Sequence, residues 1–342
     1  MLKILSDRHQ ADLAWSLQLL ADRLGATLYF PRGMEWFDKG YFRMYGDLKR
    51  KDPYRWLAKQ YLEDTIFDIN GQTITLETYQ GCKDYPHLNF ITLNEARKIP
   101  FDVVLCSINE NESSFARLSE FYPNAKFVRQ VGNQLDMNVN DELYPNLLSS
   151  ATAPYKVFRK HKVLYMQEFD LRLFKYEPVF NFSNIYSFQN GLNWDEDAWD
   201  IWVNLQHNLS NFTFKSYGVG NDDGKIFVKK EYIRKMQEAS FIFQRKFSEG
   251  YGHVVFNAFC LGRPMILNAE SYLDAIAGPL LLDEETCLFI EKQHDKMIDK
   301  IVKWSDPEKL KYLSENARSM FEKKVNFDLE FIEIKRFFYE LI

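Results

Sequence analysis

Cysteine is scarce in this chain. Four residues, Cys82, Cys106, Cys260 and Cys287, are spread over 342 positions, without the paired spacing of a structural zinc site or a disulfide framework. Cys106 and Cys260 lie in apolar runs, as buried small residues do. Long apolar runs are missing too: none approaches the ~20 residues of a membrane-spanning helix. The amino terminus, Met1-Leu-Lys-Ile-Leu-Ser-Asp7, starts as a strand and has no secretory-leader architecture. A cytoplasmic protein with no membrane span is therefore expected. An excess of positive charge is also absent. Lys and Arg number 43 against 48 Asp and Glu, for a net charge of −5, so the chain has no overall basic field for nucleic acid. Local basic clusters at Lys49-Arg50-Lys51, Arg159-Lys160-His161-Lys162 and Lys229-Lys230 read first as solvated faces.

Aromatic residues, by contrast, are abundant. With 29 Phe, 19 Tyr and 7 Trp, most must be core, and the remainder are available to stack on sugars or bases. The length suits two domains. Strands are expected at 2–5, 27–30, 101–107 and 126–130, with helices at 12–24, stopped by Gly25, and at 111–121. The segment 32–68 reads as loop with a helix at 53–62, and 73–77 as an edge strand. A polar stretch to about Ser150 closes the first domain, 1–150. The second, 151–325, has expected strands at 156–158, 163–167, 185–188, 212–217, 241–244 and 263–267. Its helices are expected at 195–207, 233–239, 253–261, 295–303 and 307–323, with a last helix at 329–341. Alternating strands and helices imply βαβ units and parallel sheets, and ligands in such folds bind at the carboxyl ends of the strands.

The most informative stretch is Lys246-Phe-Ser-Glu-Gly-Tyr-Gly-His-Val-Val-Phe-Asn-Ala-Phe-Cys-Leu-Gly-Arg-Pro-Met-Ile-Leu267. Gly250 and Gly252 allow a sharp turn and close approach of a ligand to the backbone. The helix that opens behind them would aim its positive end at an anion, most naturally a phosphate. Glu249 is placed to accept hydrogen bonds from neutral sugar hydroxyls. A phosphate site beside a hydroxyl-binding carboxylate suggests a nucleotide sugar.

Glu249-Gly-Tyr-Gly252 and the Ala258-Phe-Cys-Leu-Gly-Arg-Pro264 helix end resemble the donor-binding motif of family 4 glycosyltransferases. The resemblance covers about twenty residues. It implies an α/β protein of the GT-B fold, with two Rossmann-like domains whose parallel sheets face an interdomain cleft. In the family, a second Glu eight positions after the first holds the donor ribose; here that position is Asn257, uncharged and shorter. The resemblance also implies that the carboxyl-terminal segment 326–342 returns to the first domain.

The implied activity is transfer of a sugar from a nucleotide-diphosphate sugar to a hydroxyl acceptor, with no metal and no cofactor beyond the co-substrate. Gly250, Tyr251, Gly252, His253 and Asn257 are expected to bind the donor. Arg245 and Lys246, at the end of the preceding strand, are placed to neutralise the leaving diphosphate, with Lys246 in a catalytic role beside Glu249. The family supplies an Arg and a Lys after an earlier strand, where this chain has Gln189-Asn-Gly191-Leu-Asn193, so Gln189 and Gly191 are taken as donor contacts. Asp195-Glu-Asp197 resembles the metal-binding Asp-x-Asp of the other major glycosyltransferase fold, GT-A, but acidic residues belong at a helix start in any case.

The acceptor side rests on three loops. Asp7-Arg8-His9 fills the first strand-to-helix turn. His9 is placed like the catalytic base of inverting plant GT-B transferases, with Asp7 or Asp12 to orient it; the Glu249 motif belongs to retaining enzymes, and the stereochemistry stays open. Arg32, Glu35 and Trp36 suit an acceptor platform. Asn133 and Gln134 offer amides to hydroxyls or base edges. The segments 7–20 and 31–42 resemble bacteriophage-encoded glycosyltransferases, which implies DNA carrying a hydroxymethylated pyrimidine as acceptor and DNA modification as the process. A carbohydrate or small-molecule acceptor is the alternative, as is a catalytically silent protein that binds nucleotide sugars; a nucleotide-sugar epimerase is a third class.

Overall fold

The computed structural model describes residues 1–6, 11–31, 67–69, 72–74, 89–106, 119–132, 145–218, 220–226, 228–247 and 249–342. The chain divides into two compact units, Met1–Phe169 with Phe327–Ile342, and Asp170–Asn326.

The first unit runs β1 (Lys3–Ser6), α1 (Ala11–Leu24), β2 (Thr27–Pro31), β3 (Phe67–Ile69), β4 (Gln72–Ile74), β5 (Asn89–Ile91), α2 (Leu93–Ala96), β6 (Val103–Cys106), β7 (Lys126–Val131), β8 (Asn146–Ser149), α3 (Thr152–Val157) and β9 (His161–Leu164). Seven strands pair in parallel in the order β5-β2-β1-β6-β7-β8-β9, while β3 and β4 form a separate antiparallel pair. The central strands β6 and β8 are buried throughout, as a sheet covered on both faces demands. On one face α1 contributes Ala14, Leu17, Leu20, Ala21 and Leu24, at helical spacing, to a core shared with Ile4, Leu28 and Val128. Gly25 ends that helix at φ 64°, and the bonds from Gly25 N to Asp22 O and from Ala26 N to Ala21 O make it a Schellman stop.

The second unit runs β10 (Asn184–Ser187), α4 (Glu196–Asn208), β11 (Thr213–Ser216), α5 (Lys229–Glu238), β12 (Phe241–Gln244), α6 (His253–Cys260), β13 (Met265–Leu267), β14 (Cys287–Phe289), α7 (His294–Trp304) and α8 (Pro307–Lys324). Its five strands are parallel in the order β11-β10-β12-β13-β14. The last helix, α9 (Phe327–Leu341), leaves this unit and packs Ile334, Phe337, Phe338 and Leu341 into the α1 core of the first. Arg23 fastens its start by pairing with Asp328 at 2.8 Å and Glu168 at 2.7 Å.

Three sequence expectations are corrected here. Residues 156–158, read as a strand, finish helix α3 and its C-cap; Pro154 sits in the first turn, where a missing N–H costs nothing. The stretch before Ser150, read as polar, contains β8, whose Leu147 and Leu148 are fully buried. The strand near 163 belongs to the first sheet, because β9 pairs with β8 from Asn146↔His161 to Ser149↔Leu164. The boundary therefore falls after Phe169 instead of Ser150. Four-residue strands give too short a pattern for their sheet to be read from sequence. Among the described residues no helix is long and apolar enough to cross a membrane.

Candidate functional site at the switch point of the second sheet

In the second sheet the chain places β11 on one side of β10 and then crosses to lay β12 on the other. The loops after β10 and β12 consequently diverge, and the crevice between them is where open parallel sheets bind ligands. Gln189, just past β10, spans it: its Oε1 accepts from Arg245 N at 3.0 Å.

Past β12 the polar residues converge on one carboxylate. Glu249 Oε2 accepts from Lys246 Nζ at 2.6 Å and from Gln244 Nε2 at 3.1 Å, and Oε1 accepts from Gly250 N at 3.0 Å. Lys246 and Glu249 thus form an ion pair, with the carboxylate well shielded and the ammonium group's chain more open to water. Gly252 follows at φ 98° and is the N-cap of α6, giving its first turn no side-chain cap. A Cβ there would lie 2.8 Å from Ala277 Cβ, so both conformation and space require glycine. The positive end of the helix therefore starts three residues from Glu249. Tyr272 is fully buried, with its hydroxyl unpartnered. Burial, then the nearby Glu249 charge, pushes its ionisation well above the usual tyrosine range.

Arg245, which precedes Lys246, faces elsewhere. Its Nη1 donates to Asp195 at 2.8 and 3.1 Å and its Nη2 to Asp197 at 2.6 Å. Asp195 is also the N-cap of α4, accepting from Ala198 N at 3.1 Å. Both carboxylates of the Asp-x-Asp sequence are thus engaged by one guanidinium.

No protein-family model matches the sequence, and no curated protein matches it. Solved structures match over almost the whole chain. TarM superposes with a TM-score of 0.65 at 10% identity, covering 99% of each chain. A glycosyltransferase from Rickettsia africae ESF-5 gives 0.61 at 11% identity, covering 99% of this chain and 98% of its own. Anabaena Alr3699/HepE, in complex with UDP and glucose, gives 0.59 at 12% identity, covering 98% and 99%. The fold is GT-B.

Within this GT-B chain the structure brings Gln189, Lys246, Glu249, Gly250 and Gly252 together around the switch point. It gives two other expected donor residues different surroundings. Tyr251 is only 3% exposed and stacks on Phe256 at 4.7 Å with an interplanar angle of 2°, so its ring is a core anchor. Gly191, at φ 62°, is the place where the Trp194 ring packs; a Cβ would fall 2.1 Å from it. His253 is half-buried on the first turn of α6, edge-on to Tyr251 at 4.6 Å. Asn257, one turn further, is 1% exposed, and neither side-chain amide atom has a partner.

Asp7, Arg8, His9, Arg32, Glu35, Trp36, Asn133 and Gln134 lie outside the described residues. The sequence reading missed Gln244, Tyr272, Asn268 and Ser271. A signal existed for two of them: Gln244 and Asn268 are the polar residues that end or follow the apolar strands Phe-Ile-Phe and Met-Ile-Leu.

Proposed function

We propose that this chain is a glycosyltransferase that moves a sugar from a nucleotide-diphosphate sugar to a hydroxyl acceptor. The observation that carries the reading is the Lys246–Glu249 pair, set at the switch point immediately before the uncapped, glycine-started helix α6. Its two members match the two ends of such a donor. Glu249 accepts from the sugar hydroxyls, while Lys246 turns its ammonium group from Glu249 to the departing phosphate, helped by the helix dipole. Each charged group then exchanges one partner for another, and no charge is stranded. Asn257 offers a donor and an acceptor to the ribose where family 4 enzymes use Glu, and His253 lies at the helix start where phosphate would rest. The bound UDP and glucose of the HepE structure agree with a donor of this class.

For the acceptor we retain the reading from the amino-terminal loops: a hydroxyl on a modified pyrimidine in DNA, with a carbohydrate hydroxyl as the competing class. His9 then either takes the acceptor proton or only positions the acceptor.

The test is a mass-spectrometric screen of UDP-, ADP-, GDP- and dTDP-sugars against hydroxymethylated DNA, plain DNA and simple glycosides. Transfer that disappears in Glu249→Ala supports the assignment. Tight binding of UDP with no turnover by the wild type would instead make the chain a silent nucleotide-sugar-binding protein, and neither binding nor turnover would end the donor reading.

A further inference from the structure

Strands β12 and β13 pair in register as far as Gln244↔Leu267. Beyond that rung the pairing is continued by a side chain. Asn268 Oδ1 accepts from Lys246 N at 3.2 Å, and Asn268 Nδ2 donates to Lys246 O at 2.8 Å. The same Nδ2 donates to Ser271 Oγ, which in turn donates to Lys246 O and, at 3.2 Å, to Phe247 O. Ser271 O completes the set by accepting from Glu249 N at 3.1 Å. Two residues from the loop after β13 therefore hold four backbone groups of the segment that carries both Lys246 and Glu249.

We infer that Asn268 is a positioning residue: it sets the geometry of the Lys246–Glu249 pair by adding one rung to the β12–β13 ladder, and it does so without touching a ligand itself. Its link to turnover rests on the proposed donor role of that pair. A primary amide suits the task because it carries a donor and an acceptor on one planar group and can close both on a single backbone residue. A carboxylate keeps only the acceptor; an aliphatic side chain of the same size keeps neither. The segment after β12 otherwise leaves the sheet, so its register depends on this rung and on Ser271. A shift of ~1 Å in such a segment is enough to cost on the order of 10²-fold in rate.

The variants Asn268→Leu and Asn268→Asp, each checked for cooperative unfolding, separate positioning from general support of the fold. Hydrogen exchange followed by mass spectrometry should show the peptide spanning 245–251 opening about 10-fold faster in Asn268→Leu, with the peptides of β10 and β14 unchanged. With UDP-glucose as donor, kcat should fall on the order of 10²-fold while acceptor KM holds, and Asn268→Asp should recover part of the loss. In an Glu249→Gln background, Asn268→Leu should cost little more, since it acts through the pair. Unchanged exchange at 245–251, an unchanged kcat, or full multiplicative loss in the double variant would each overturn the inference. If the wild type neither binds UDP nor turns over UDP-glucose, the donor reading falls, and the exchange measurement alone decides whether Asn268 holds the segment.

Discussion

Lys246 Nζ lies 2.6 Å from Glu249 Oε2, across three residues of a segment that leaves strand β12 for helix α6. On the function proposed above, a diphosphate sugar would separate these two charges, its phosphate meeting the cation and its hydroxyls the carboxylate. In the structure each side chain is the other's charged partner. Donor binding would then be an exchange of partners at a shielded carboxylate, and on that proposal the pair should act as one unit.

That coupling makes the first prediction. Lys246→Met should lower kcat on the order of 10²-fold by removing the cation that meets the leaving phosphate. Glu249→Gln should show itself more in kcat/KM for the donor. Steady-state kinetics of both single variants and the double should give strongly non-additive losses. Losses that simply multiply would mean that the two residues work apart.

Arg245 should behave differently. Because it is tied to Asp195 and Asp197 at the start of α4, Arg245→Met should reduce stability while leaving donor KM at the parental value. Asp195→Ala removes the N-cap as well, at a cost of about 1–2 kcal/mol, measurable by urea unfolding. A large rise in donor KM for Arg245→Met with unaltered stability would instead put the guanidinium on the donor phosphate.

Asn257 offers a test with two signs. Its amide is buried and unpartnered, so Asn257→Leu removes two unsatisfied groups while keeping the side chain's branched shape. Stability should be unchanged or higher by about 1 kcal/mol, whereas UDP binding by calorimetry should weaken if the amide meets the ribose. Unaltered UDP affinity would take Asn257 out of the donor site.

The last prediction concerns pH and the first unit. Glu330, on α9, accepts from Met166 N and faces Glu168 on the adjoining segment and Arg23 on α1. Burial, the largest cause, pushes its carboxyl up to about 8 against an ordinary value of 4.5; the Met166 N–H and Arg23 act in the opposite direction, and Glu168 adds to the rise. A folded-state value above the unfolded one favours the protonated form. The stabilisation is therefore complete below about 4.5 and is lost as pH rises through about 8. Within that window the slope approaches about 1.4 kcal/mol per pH unit. Thermal unfolding at pH 5 and pH 8 should show a fall in Tm that Glu330→Gln largely removes; an equal fall in the variant would assign the pH dependence to other groups.

The amino-acid sequence by itself determined the elements whose cause is local. Gly252 before an apolar helical run, Gly25 after one, Asp195 ahead of α4 and the continuous apolar strands β6 and β12 state their conformation through backbone freedom, capping and burial. These act over a few residues and need no knowledge of the rest of the chain. The parallel α/β class followed from their alternation, and the turn with Glu249 marked one edge of the site.

Tertiary structure decided which charges and strand ends meet. Arg245 and Lys246 are adjacent and chemically alike, yet one turns to α4 and the other to Glu249, because β10 and β12 are neighbours in the sheet and the start of α4, which follows β10, therefore lies beside Arg245. The membership of β8 and β9 in the first sheet depends on pairing partners, not on four-residue patterns. Asn268 gained its task only because β13 lies beside β12, 22 positions from Lys246 along the chain. Such relations are products of sheet order, a long-range property that no local window contains.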